Sequence, residues 1–195
     1  MNEVAHYPQL AESLETAVKA NLRATDVQVK VLYLREHGND IRSFLAHYIQ
    51  TDGVVASEAL KTYAADVPKL RTDLAVLLDN PATNKFSLII IEAKLLGSAG
   101  LTQLSQLIGY CLVTRAPYGL MVNINGGASG ELTTILNVDQ DIARIQRTLS
   151  GPPHEITHKI GFLTYSTETK NLSYVPTSSV TSLPQVVAEI EESLA

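Results

Sequence analysis

The apolar segment FSLIIIEAK, residues 86 to 94, ends in a glutamate and a lysine separated by one alanine, and Asp73 heads the apolar run before it. Side chains alternate along a strand, so Glu92 and Lys94 emerge on one face with Ala93 on the other. A carboxylate beside so apolar a strand is costly unless a cation or hydrogen bonds compensate it. If RTDLAVLLDN folds back as an antiparallel neighbour through Asp79, Asn80 and Pro81, Asp73 comes beside Glu92. Two carboxylates and an ammonium then converge. Such oxygens suit a hard divalent cation such as Mg²⁺, which takes one or two protein carboxylates and leaves its other positions to water and substrate phosphate. The plain alternative is a salt bridge at a strand end.

The elements that must hold these groups can be read from periodicity. Pro8 opens a helix over 8 to 23, with Leu10, Leu14, Val18 and Leu22 on one side, Glu15 on the flank of that stripe and Glu12 pointing away. VQVKVLYL, 27 to 34, alternates as a strand does, and 40 to 50 reads as a helix. The run ending in Glu92 and Lys94 is apolar on both faces, the pattern of a strand covered on each side. A break at Gly97 to Gly100 leads to a helix that stops before Pro117 and whose apolar face is Leu101, Leu104, Ile108, Cys111 and Leu112. YGLMVNI, 118 to 124, is the next strand. Beyond it LTTILNV predicts a strand and DIARIQRTL a helix with Arg144 and Arg147 on one side. Gly151, Pro152 and Pro153 mark a loop, KIGFLTYS and NLSYV a closing hairpin, and Ser182 with Pro184 the start of a last helix. The expectation is a single α/β domain over 1 to 195, with a mixed central sheet flanked by helices.

Composition narrows the class. The 195 residues are 45% hydrophobic and 18% charged, which suits a globular chain with a sizeable core. A net charge of −5 opposes a protein that coats nucleic acid with a broad basic face, yet a carboxylate cluster built for metal makes the total more negative without making a binding rim acidic. No apolar run reaches a membrane span and the N-terminus has no secretory pattern, so the expected location is intracellular: cytoplasmic, or nuclear in a eukaryote. Cys111, the single cysteine, is expected to be a core thiol.

With the elements in this order, Arg71-Thr72-Asp73 followed by Glu92-Ala93-Lys94 resembles the motif pair of the PD-(D/E)XK nuclease superfamily, with Thr72 where proline is usual. Gln106 and Tyr110 in TQLSQLIGY resemble the Gln-x-x-x-Tyr motif of RecB-type exonuclease domains, and helical geometry puts them with Gln103 on a polar side. A Gln-rich solvated face is the plain alternative. The likeness covers residues 8 to 124, in an order similar to the family's αβββαβ core, and leaves 125 to 195 as an elaboration. It implies a restriction-endonuclease-like fold and a Mg²⁺-dependent nuclease, Mn²⁺ substituting, that hydrolyses DNA phosphodiester bonds, more in the manner of an endonuclease than of a processive exonuclease. Asp73, Glu92 and the backbone carbonyl of Ala93 would hold the metal, joined by Glu15 or, second, Glu12. Lys94 would orient the attacking water. Gln106, Tyr110, Gln103 and Arg71 would contact the strand. A homodimer suits enzymes that cut both strands.

Other chemistries fit less well. His154 and His158 have metal-ligand spacing but follow Pro152-Pro153 rather than lying on a helix, NINGGASG lacks the lysine and hydroxyl of a phosphate loop, and no serine sits in a Gly-x-Ser-x-Gly elbow. Two rivals stay open: a catalytically silent member of the same fold acting as a binding or assembly module, and an unrelated α/β protein whose strand-end charges are ordinary.

Overall fold

The computed structural model describes residues 3–150, 155–175 and 179–195. In chain order the elements are α1 (Tyr7–Asn21), β1 (Gln28–Tyr33), α2 (Ile41–Gln50), α3 (Glu58–Asp66), β2 (Leu74–Asn80), β3 (Lys85–Lys94), β4 (Ser98–Ala99), α4 (Leu101–Thr114), β5 (Tyr118–Ile124), β6 (Gly127–Ala128), α5 (Gly130–Val138), β7 (Arg144–Thr148), β8 (Glu155–Tyr165), β9 (Leu172–Tyr174) and α6 (Leu183–Leu194). Seven strands form one mixed sheet in the order β1-β2-β3-β5-β8-β7, with β9 also on β8. The first three strands run antiparallel to one another, β3, β5 and β8 are parallel, and β7 and β9 run antiparallel to β8. The sheet is thus the expected mixed one flanked by helices. Helix, three strands, helix, strand follow in the expected order, with α2 and α3 between the first two strands.

Local chemistry explains most boundaries. Asn80 Oδ1 accepts the amides of Ala82 and Thr83 and so closes the turn between β2 and β3. β3 and β5 are buried along nearly their whole lengths because helices cover both faces, and the parallel connection between them needs a crossover, which α4 supplies. Asp40, Ser57, Ser129 and Ser182 each cap a helix by accepting an amide three residues on. α1 buries Tyr7, Leu10, Leu14 and Val18, four positions of one helical stripe, against β1 and α6. The apolar residues of all these elements form one buried cluster. No described helix is long and apolar enough to cross a membrane.

Three expectations are corrected. LTTILNV is helical, in α5, because Ser129 caps it and Leu132 and Leu136, one turn apart, enter the core. Its β-branched residues pointed the other way. DIARIQRTL is a 3₁₀ turn over Gln140–Ala143 followed by β7, so Arg144 and Arg147 lie on opposite faces of a strand instead of sharing a helix side. Pairing with β8 overrides their helix propensity. On α4 the buried stripe is Leu104, Leu107, Cys111 and Thr114, rotated from the expected one, with Ile108 and Leu112 only partly covered. At Gly127 and Ala128, β6 pairs in parallel with β4. The expected hairpin of β8 and β9 and the capped final helix are present. β8 is more than an appendage, for it extends the parallel core beside β5. His158 is buried with Nδ1 2.7 Å from Ala116 O, and His154 and the loop at 151 to 153 lie outside the described residues.

One glycine sets how closely α4 sits on the sheet. A Cβ on Gly119 would lie 2.6 Å from Cys111 Sγ and 2.9 Å from Ile160 Cδ1. Strand propensity alone favours valine there, but packing opposes it. Gly119→Val is expected to cost about 1–3 kcal/mol in urea unfolding; an unchanged or raised midpoint would show that α4 can ride away from β5.

Candidate active site at the carboxyl end of β3

Leu74 pairs with Ile91 at the end of the β2–β3 ladder, so continuing the register by one residue sets Asp73 opposite Glu92. Glu92 and Lys94 share the face away from Ala93. Lys94 Nζ lies 2.6 Å from Glu92 Oε1, 3.3 Å from Asp73 Oδ2 and 3.8 Å from Glu3 Oε1. Asp73 Oδ2 also accepts the Ala93 amide at 3.0 Å. The three residues that sequence spacing singled out therefore gather around one point. The two carboxylates are also near enough for the charge of Asp73 to act on Glu92. The point lies at the carboxyl end of β3, beside its parallel neighbour β5, where open α/β sheets present their ligand crevices.

The electrostatics of the cluster are lopsided. The Glu92 side chain is 2% exposed, and its contact with Lys94 is ionic rather than a well-directed hydrogen bond. Burial and then the charge of Asp73 push its carboxyl above the usual carboxylate range, against the pull of Lys94. For Lys94 burial opposes the charge, but Asp73, Glu92 and Glu3 outweigh it and hold the ammonium above its ordinary value. One cation thus serves three anions, and the deepest of them is the least well compensated.

Two residues in the cluster were not foreseen. Glu3, in the 3₁₀ turn Glu3–His6 that leads into α1, brings the third carboxylate. Tyr7 is fully buried and its hydroxyl lies beside Asp73 without a well-directed hydrogen bond. Burial first, then the charges of Asp73, Glu3 and Glu92, raises that phenol above its ordinary value. A helix read as starting at Pro8 begins after Glu3, although Glu3 and Tyr7 are spaced as one helical turn. Glu15, expected to face the metal, is engaged elsewhere: it pairs with Lys19 at 2.6 Å and accepts the Val31 amide at 3.3 Å. Glu12 is exposed.

The chain just beyond Lys94 is held by Asn123. These two are register partners on β3 and β5, and Asn123 is fully buried. Its Oδ1 accepts the Leu96 amide at 3.1 Å while its Nδ2 donates to Gly127 O at 2.9 Å. Gly126 completes the clamp, because a Cβ there would lie 2.0 Å from Leu96 O. A buried asparagine in the apolar run YGLMVNI was the sequence signal for this role.

The other named residues are placed more loosely. Gln103 Oε1 accepts the Gly100 amide at the start of α4. Gln106 Nε2 donates to the Tyr110 hydroxyl at 2.5 Å, one turn apart along the same helix flank. No hydrogen bond or ion pair links either to Asp73, Glu92 or Lys94 among the described residues. Arg71 is exposed two residues before Asp73. Among the described residues no group of three or more His, Cys, Asp or Glu side chains is arranged to hold a metal unaided. Comparison of the chain with known family models, curated proteins and solved structures finds no match.

The strained carboxylate has a signature in stability. Because folding holds Glu92 above its unfolded value, the folded protein binds more protons than the unfolded chain at pH values between the two, and stability falls as pH rises through that window. Glu92→Gln removes this slope. Relative to the unsubstituted protein its Tm is expected to be higher by about 2–6 °C at pH 8, with a smaller gap at pH 5. A lower Tm for Glu92→Gln at pH 8 would mean that the charged form is stabilising.

Proposed function

We propose that the chain is a divalent-metal-dependent nuclease of the PD-(D/E)XK type, with a restriction-endonuclease-like core, that hydrolyses phosphodiester bonds within DNA. The observation that carries the reading is the meeting of Asp73, Glu92 and Lys94 at the carboxyl end of β3. The donor set fits Mg²⁺, with Mn²⁺ as a substitute. Asp73 and Glu92 offer carboxylate oxygens, and because the amide and carbonyl of one strand residue project to the same side, Ala93 O lies on the side where its amide meets Asp73. Two carboxylates leave most positions around an ion to other ligands, which suits a cation that keeps water and takes substrate phosphate. Glu3 takes the part that the family resemblance suggested for Glu15.

When bound, the cation lowers the pKa of a water and offsets the charge that grows on the phosphate. Asp73, Glu92 and Ala93 O would hold it, which would leave Lys94 to donate hydrogen bonds to the attacking water and to a non-bridging phosphate oxygen. The water oxygen bonds to phosphorus and gives up a proton to solvent, the bond to the leaving sugar oxygen breaks, and that oxygen takes up a proton. Asn123 fixes the chain just beyond Lys94. Gln103, Gln106 and Tyr110 contact the nucleic-acid strand.

One observation favours a second reading. Lys94 contacts all three carboxylates, so a cation of the chain's own already stands where a metal would, as in a catalytically silent member of the fold used for binding or assembly.

Supercoiled and linear DNA incubated with Mg²⁺ or Mn²⁺ separate the two. The unsubstituted protein is expected to nick or cut both, and Asp73→Ala, Glu92→Gln and Lys94→Ala to lose about 10²-fold or more of the rate, as removal of a transition-state interaction does. DNA binding without cutting in either metal supports the silent module. Cutting that survives all three substitutions refutes the assignment.

A further inference from the structure

Two loops reach the Asp73 side of the cluster, and they are tied together. Leu34 N donates to Asp73 O at 2.9 Å and Ile41 N to Leu70 O at 2.9 Å, so the segment after β1 and the segment before β2 run side by side. Arg42 Nε donates to Val67 O at 2.7 Å and fixes the second segment from below. Within the first, Arg35 N donates to Gly38 O at 2.8 Å and closes a tight turn.

These loops present Arg35, Lys69 and Arg71, all exposed. None of the three makes a side-chain hydrogen bond or ion pair among the described residues. Asp40 accepts both the amide and the hydroxyl of Ser43, and no ion pair joins Glu36 to these cations among the described residues. In a chain of net charge −5, three exposed cations without side-chain partners are carried by two pinned loops that lead to Asp73.

Backbone strain is the second observation. Arg35 has φ 78°, a left-handed conformation that non-glycine residues adopt at a cost; Asn84, Arg115, Asn125 and Lys170 share it among the described residues, and of these five only Arg35 lies on the two loops that lead to Asp73. Gly38, at φ 137°, closes the same turn, and a Cβ there would lie 2.3 Å from Ser43 Cβ. The turn has its glycine where close approach demands one, yet carries an arginine where glycine would be relaxed.

We infer that Arg35, Lys69 and Arg71 form the phosphate-binding rim along which a nucleic-acid strand reaches Asp73, so that the substrate enters over the β1–β2 edge. The inference rests on the phosphodiesterase reading and adds the direction of approach to it. Phosphate contacts of this kind set register and affinity without reading sequence, and they release counterions.

The test is binding of a fluorescent DNA duplex by the full chain in Ca²⁺ buffer across a series of salt concentrations, with cleavage in Mg²⁺ measured alongside. Arg35→Ala/Lys69→Ala/Arg71→Ala is expected to weaken binding at least about tenfold and to flatten the log–log salt dependence by about one unit for each phosphate that is no longer neutralised. Lys85→Ala/Arg115→Ala, which removes two exposed cations from the other end of β3 and of α4, is expected to bind as the unsubstituted protein does. Arg35→Gly relieves the strained turn, so it should melt higher while binding more weakly, an outcome that damaged folding does not produce. If the protein binds and cuts DNA but the rim variants match it and the control variant is the one that loses affinity, the rim is overturned and the nuclease reading stands. If the unsubstituted protein neither binds nor cuts, both fall.

Discussion

The contact on which the rest depends is that of Lys94 with Glu92 and Asp73, made at the carboxyl end of an almost wholly apolar strand. A carboxylate so deeply buried destabilises the fold unless something positive stands against it, and a single ammonium shared among three acids leaves the balance short. Much of the surrounding architecture can be understood as holding that shortfall in place. The β2–β3 ladder sets Asp73 opposite Glu92, the turn before α1 delivers Glu3, and Asn123 with Gly126 locks the chain just past Lys94. Residues kept in an unfavourable electrostatic state against the interest of stability are the ones to suspect of function.

Glu92, Lys94 and Asp73 were legible because two simple periodicities decide their placement. Alternation along FSLIIIEAK puts Glu92 and Lys94 on one face whatever the fold, and a short turn after Asp79 can return the chain in only a few registers. The same logic found β1, β5, α1, α2, α4 and the capped α6, each with a strong apolar pattern or a clear boundary residue. The mixed sheet followed from them.

What was missed shares a physical cause. α5 and β7 were exchanged because short segments rich in Thr, Ile and Arg carry weak local preferences, and a serine cap in one case and pairing with β8 in the other decided the outcome. Glu3 was overlooked and Glu15 preferred because a helix face shows which way a side chain points but not how far along the axis the site lies. The stripe of α4 was misjudged for a similar reason: Leu101, Ile108 and Leu112 are apolar, but packing on β3 and β5 selects the flank with Leu107 and Thr114. The loop cations were visible as residues and silent as a group, since only the backbone bonds between the two segments bring them together.

The most direct test is calorimetric titration of the protein with Mn²⁺ or Mg²⁺ at about pH 6, above the ordinary carboxylate range, in buffers of different ionisation enthalpy. Because burial and the charge of Asp73 raise the Glu92 carboxyl above the usual carboxylate range, a cation that binds there displaces protons from it. The expected result is one metal site whose filling releases protons, with both the site and the release weakened in Glu92→Gln. Absence of metal binding at millimolar concentration, or binding with no proton released, would contradict a cation site built on this buried carboxyl.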